Sequence, residues 1–148
     1  MMQRYLAIDY GTVRVGLAIS DPLGIIATGY KTINHRGKDM TEIVDEIILI
    51  IKEKEISKII LGMPKRTDGK IGEKEEQTHL FAEILKDKSG LTPIFLDERY
   101  TTVIAHQYMN KLGTKPDKKK EIVDQIAAEI LLQNYLDKTF HSIYNLIK

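Results

Sequence analysis

The stretch Tyr5-Leu6-Ala7-Ile8-Asp9-Tyr10-Gly11-Thr12 decides the fold. Tyr5 to Ile8 is short and apolar, as expected of a strand buried on both faces. It ends in a carboxylate, Asp9, and Gly11 then turns the chain. Val13 to Ser20 reads as a second strand, in which Val15, Leu17 and Ile19 alternate with the small Gly16, Ala18 and Ser20. Asp9 therefore stands where a buried strand meets an open edge. A charge in that place is costly unless something pairs with it. One reading is a turn aspartate satisfied by backbone N–H groups. The other is a functional carboxylate, and the choice between them depends on whether further acids converge on Asp9.

Working outward, Asp21-Pro22-Leu23-Gly24 has turn composition, and Ile25 to Thr32 is expected as a third strand closing an antiparallel meander. Asn34 to Lys38 is polar and reads as a loop. Asp39, with Glu42 three residues on, has the pattern of a helix N-terminus. Ile43, Val44, Ile47, Ile48, Ile50 and Ile51 follow at helical spacing. Lys58 to Leu61 is the next strand, parallel to the first because a helix precedes it. Lys65 to Gly72 is a polar segment with three basic side chains, Lys65, Arg66 and Lys70. A second helix is expected over Glu73–Lys86 and a short strand over Pro93–Leu96, the latter followed by Asp97-Glu98. A third helix is expected from Thr101 or Thr102 to Leu112, and a fourth over Lys118–Leu136. Phe140 to Ile147 has a weak helical pattern. This order predicts an α/β fold of three layers, with a five-stranded mixed sheet and helices on both faces, as one domain over residues 1–148.

Lys and Arg number 22 and Asp and Glu 21, so a polyanionic partner must be held by a local patch. The absence of cysteine excludes a disulfide scaffold and thiolate chemistry. No apolar run approaches the roughly 20 residues of a membrane span, and the N-terminus has no signal-peptide pattern. The expectation is a soluble cytoplasmic protein. His35, His79, His106 and His141 lack metal-ligand spacing, and Ser20 shows no sign of an assisting histidine.

Three acids lie at special places. Asp9 and Glu98 end strands of one sheet, and parallel strands would bring both to its carboxyl edge, where open α/β sheets build their sites. Asp124 shares a helical face with Ala127, Ala128 and Leu131. The competing reading of Asp124 is an acid favoured near a helix N-terminus. Two carboxylates about 4 Å apart repel by about 4 kcal/mol at an effective dielectric near 20. A cation or a proton must offset that. Mg²⁺ or Mn²⁺, as one or two ions, suits oxygen-only ligands and can activate water at a phosphodiester. Asp97 is the neighbour that competes with Glu98 for the role. Lys111 to Lys120 holds five Lys against one Asp, about +4. Lys115, Lys118, Lys119 and Lys120 are candidate phosphate contacts there, and a solvated face is the alternative. Tyr10 is expected either to stack on a base or to pack in the core.

The motifs carry a resemblance. Asp9-Tyr10-Gly11 with Arg14-Val15-Gly16-Leu17-Ala18 and Ser20-Asp21 resembles the opening motif of the YqgF family, also called RuvX. Gly62-Met63-Pro64 with Asp68-Gly69 is similar to its second motif. Asp97-Glu98-Arg99 with Thr101-Thr102 and Ala105 is similar to the third. Val123-Asp124-Gln125-Ile126-Ala127-Ala128, then Leu132-Gln133 and Tyr135-Leu136-Asp137, resembles the fourth. The resemblance implies an RNase H-like fold. It implies a nuclease acting on structured RNA at the 5′ end of pre-16S rRNA, or on branched DNA as a Holliday junction resolvase. It also implies Asp9, Glu98 and Asp124 as the catalytic and metal-binding triad. Arg14, Arg66 and Arg99 join the lysines as candidate nucleic-acid contacts, with a salt bridge to the acids as the alternative for Arg99. Val13, Arg66 and Ile104 depart from the family pattern.

Two other classes compete. Asp9-Tyr10-Gly11 with Gly16 also suits the phosphate hairpin of actin-like ATPases, but those need a second domain that 148 residues do not hold. A non-catalytic nucleic-acid-binding module is the other. A resolvase is expected to be a homodimer, because it makes paired cuts, whereas an RNA nuclease works equally well as a monomer. The basic run gives a direct test. Lys118, Lys119 and Lys120 together reach up to three phosphates, and replacing all three by Ala should flatten the log–log salt dependence of single-strand binding by roughly 2. An unchanged slope would return the run to a solvated face.

Overall fold

The computed structural model describes residues 3–64, 72–97 and 116–147, the last segment without the side chains of 116–121, 140–145 and 147. Five strands form one sheet: β1 (Arg4–Tyr10), β2 (Arg14–Ser20), β3 (Ala27–Asn34), β4 (Ile56–Met63) and β5 (Ile94–Asp97), in the order β3-β2-β1-β4-β5. β1, β2 and β3 form the expected antiparallel meander, and β4 and β5 run parallel to β1. The helices are α1 (Met40–Glu53), α2 (Glu73–Ser89) and α3 (Pro116–Ile147). The helix expected over 101–112 lies outside the described residues.

Local chemistry sets the boundaries. The Asp39 carboxylate accepts from Glu42 N at 2.9 Å and starts α1. Asp21 Oδ1 accepts from Ile25 N and Ile26 N at 2.7 and 2.8 Å. Those two residues are thereby held in the turn, so β3 starts at Ala27 and not at Ile25 as expected. After Pro116 no proline or glycine interrupts α3, which continues through the weakly patterned tail as one helix of 32 residues.

The alternation in β2 divides the molecule into two unlike interfaces. Leu6, Ile8, Val15, Leu17, Ile59 and Leu61 face α1 and α2, where they meet Ile43, Ile47, Phe81 and Leu85. The opposite face carries Tyr5, Ala7, Ala18, Ala27 and Ile60 against Ala128, Leu131, Leu132 and Leu136 of α3. Large side chains fill the first interface, and small ones let α3 lie close to the second. Gly16 is the tightest point: a Cβ built there would collide with the backbone carbonyl of Asp124. A Cβ on Gly29 would come to 3.2 Å from Gln125 Cβ.

α3 also satisfies the outer edge of the sheet. Ala27 N donates to Gln133 Oε1 at 2.9 Å, Gly29 N to Glu129 Oε1 at 3.3 Å, and Gln125 Nε2 to Thr32 Oγ1 at 3.2 Å. Edge N–H groups of β3 that would otherwise invite another strand are thus occupied. Gly16→Ala is expected to cost about 1–3 kcal/mol, the range for forcing an extra methyl group into a packed interface. Gly29→Ala is expected to cost less, because its neighbour is a side-chain carbon that can give way. Thermal melts of the two variants check this, and equal costs would show that α3 is not seated on Gly16.

Candidate active site

β1 places Asp9 at the carboxyl end of the sheet. Tyr5 and Ala7 face α3, so alternation puts Asp9 on the same face. Its partner across the ladder is Gly16, and Asp124 lies directly over Gly16. Asp9 and Asp124 consequently line one cleft of about 200 Å³, together with Tyr10, Gly11, Thr12, Val13, Arg14 and Lys74. Asp124 lies on the face of α3 that it shares with Ala127, Ala128 and Leu131, turned toward the sheet. Ala127 and Ala128 are buried beneath it, while the Asp124 side chain keeps 18% of its surface exposed.

Arg14 Nε donates to Asp124 Oδ2 at 2.6 Å. The guanidinium, expected to hold nucleic acid, is thus committed through Nε to a carboxylate 110 positions away. Such a charge-assisted bond fixes the rotamer of both groups. Asp9 has no hydrogen-bond or ion-pair partner among the described residues. A half-buried carboxylate in that position calls for water or a cation. The two carboxylates form an oxygen-only donor set, without Cys or His among the cleft-lining residues, and this suits a hard divalent cation. Among the described residues no group of three or more metal-ligating side chains comes together. Glu98, Arg66, Arg99, Ile104 and Lys115 lie outside the described residues, and Lys118, Lys119 and Lys120 are placed only by backbone, at the start of α3.

Several neighbours take structural roles. Ile94 and Leu96 pack toward α3, whereas Phe95 meets His79 of α2 at 5.2 Å. Alternation places Asp97 on the side of the sheet that Phe95 faces, opposite to Asp9. Tyr10 is buried and stacks on Phe81 at 4.2 Å, which excludes it as an exposed base-stacking platform, and burial pushes its phenol pKa up. Ser20 Oγ accepts from Tyr5 N at 2.9 Å, a structural bond. Val13 stands on the lip, 57% exposed. Lys74 was missed from the sequence because its helix begins far from the acidic motifs.

A larger concavity of about 340 Å³ opens beside the β2–β3 turn, lined by Arg4, Asp21, Tyr30 and Lys54 among others. Its one carboxylate is occupied: the N–H groups of Ile26 and Ile25 hold Asp21 below the usual carboxylate range. Paired acids occur in the smaller cleft, which makes it the candidate site.

A mixed five-stranded sheet with a carboxylate ending its central strand, covered by helices on both faces, defines an RNase H-like domain. Two structures of RuvC from Thermus thermophilus share that fold. One has a TM-score of 0.55 at 11% identity, covering 94% of this chain and 97% of that one. The other, in complex with a Holliday junction substrate, has a TM-score of 0.52 at 12% identity, covering 93% and 96%. The chain belongs to the RuvX family, whose model, described as "Holliday junction resolvase", matches residues 3–138. Its relatives include a protein of Clostridioides difficile, 37% identical over 94% of this chain and 97% of its own length. Another, from Acetivibrio thermocellus, is 43% identical over 90% and 95%. Both are named "Putative pre-16S rRNA nuclease".

The Arg14–Asp124 pair yields a test of the carboxylate. Arg14→Gln is expected to destabilise the protein by about 1–3 kcal/mol, between the values for exposed and buried pairs. Millimolar Mg²⁺ should then raise the melting temperature more in the variant than in the wild type, because ion and guanidinium serve the same carboxylate. Equal Mg²⁺ shifts would separate Asp124 from cation binding.

Proposed function

We propose that this chain is a divalent-cation-dependent nuclease that hydrolyses phosphodiester bonds of structured RNA, and that it matures the 5′ end of pre-16S rRNA in the cytoplasm. The observation that carries this reading is the convergence of Asp9 and Asp124 on one cleft across Gly16. Glu98, one residue beyond the described end of β5, is the third member by family resemblance. One or two Mg²⁺ or Mn²⁺ ions, when bound, would acidify a water and offset charge on the leaving oxygen.

The chain's own residues divide the remaining work. Asp9 and Asp124 present oxygen donors at an open edge that nucleic acid can reach. Arg14 fixes Asp124 and balances its charge. The turn after β1 forms the lip, with Val13 toward solvent. Lys118, Lys119 and Lys120 stand at the end of α3 that carries Asp124, and with Lys115, Arg66 and Arg99 they supply backbone contacts. The names of the relatives favour RNA as substrate. The description of the family and the fold shared with RuvC favour the same chemistry on branched DNA as the second reading, which requires a symmetric homodimer.

Precursor 16S rRNA and a synthetic four-way DNA junction, digested side by side with Mg²⁺ or Mn²⁺, separate these readings. A cut in the precursor that requires both metal and Asp9 is the expected result. Asp9→Asn should abolish it while leaving the metal-free protein at least as stable, since like-charge repulsion is relieved. Cleavage of the junction alone would move the substrate to DNA. Binding of either without metal-dependent cleavage would make the chain a nucleic-acid-binding module.

A further inference from the structure

Among the described residues, the cleft holds two acids, Asp9 and Asp124, and two cations, Arg14 and Lys74. Arg14 is committed to Asp124 at 2.6 Å. Lys74 also lines the cleft, yet it has no ion pair to either acid or to any other described residue. Its position on α2 is unusual for a lysine. It is the second residue of a 17-residue helix, within the first turn, where the positive end of the helix dipole disfavours a cation. Its neighbours Glu73, Glu75 and Glu76 follow the dipole preference, and Lys74 is the exception. Glu73 and Glu75 lie about 100° to either side of it around the helix, and of the three only Lys74, itself exposed, lines the cleft. The helix is also capped by Gly72 without a side-chain hydrogen bond. The N–H groups of its first turn thus add positive partial charge beside the lysine.

We infer that Lys74 is a phosphate-positioning residue: its ammonium takes a non-bridging oxygen of one phosphate of the substrate backbone and seats the strand beside Asp9 and Asp124. An anion there removes the unfavourable balance that Lys74 otherwise has with the helix end. The contact is a point charge to a phosphate and carries no base information. It grips the strand from the α2 side, whereas Lys118, Lys119 and Lys120 belong to α3. A strand held from both helices is aligned across the carboxylate pair and is not merely attracted to it. This assignment rests on the nuclease reading above and adds the residue that sets the strand's position.

The test measures binding and turnover separately on the full chain. The probe is a fluorescent RNA hairpin with a single-stranded 5′ extension. Its affinity is measured by anisotropy in EDTA across a salt series, for wild type, Lys74→Ala and Lys74→Arg. Lys74→Ala should weaken binding and reduce the log–log salt slope by about 0.7, the value for one phosphate contact on a single strand. Lys74→Arg should keep the wild-type slope. The melting temperature of Lys74→Ala should be equal to or above that of wild type, since a misplaced helix charge is gone. With Mg²⁺, the loss in Lys74→Ala should fall mainly on KM. An unchanged slope, or a lower melting temperature that accounts for the weaker binding, overturns the assignment while leaving the nuclease reading intact. Wild type that binds the hairpin but cleaves no nucleic acid overturns the nuclease reading, and the slope still decides whether Lys74 touches phosphate. Wild type that does not bind the hairpin at all overturns both.

Discussion

The absence of a side chain at Gly16 governs this molecule. Asp9 is fixed by β1, and Asp124 arrives on a separate helix from more than a hundred residues away. The two meet only because the backbone of α3 rests directly on β2 at Gly16. Ala18 continues the same small surface, and Ala127 and Ala128 supply its counterpart on the helix. Larger side chains on either surface would force α3 away from β2 and draw Asp124 off Asp9. The opposite face of the sheet carries the bulky packing and hence the larger share of hydrophobic stabilisation. The division is functional as well as architectural: one face holds the domain together and the other sets the spacing of two charges.

That spacing has an electrostatic cost, and the surroundings offset it. Arg14 sits at the start of β2, two strand positions from Gly16, and its guanidinium reaches Asp124. The glycine that seats the helix and the arginine that holds its acid thus lie on the same short strand. Among the described residues, Arg14 and Lys74 stand beside Asp9 and Asp124 in the cleft and offset their charge.

Much of this was legible in the sequence. Alternation in β2 announced a two-sided strand, the helix before β4 announced a parallel pairing, and Asp39 marked the start of α1. Asp124 could be placed on an inward face from helical periodicity alone. Other features depend on contacts across the fold. That Gly16 and Gly29 are sites of close approach requires knowing which helix crosses them. Arg14 reads in the sequence as a nucleic-acid contact because its carboxylate partner is 110 residues distant. Gln125 and Gln133 stood in a recognisable motif without an evident task, and their task is to satisfy the edge strand β3. The boundary of β3 moved by two residues because a carboxylate in the turn outcompeted strand pairing for two N–H groups. The side of the sheet on which Asp97 falls follows from pleat direction, which sequence adjacency to Glu98 conceals.

The long separation between the two halves of the site also orders its assembly. β1, β2 and β3 are neighbours in sequence, and their ladder closes with short loops, so the meander and Asp9 can form from local contacts. Asp124 joins only after α3, the last of the described elements, has folded back across the sheet. A chain still being synthesised, or one lacking residues 116–147, would therefore have the meander and Asp9 but not the Asp9–Asp124 pair. Under the proposed nuclease reading, that order withholds the paired carboxylates from any RNA until the last described helix has docked.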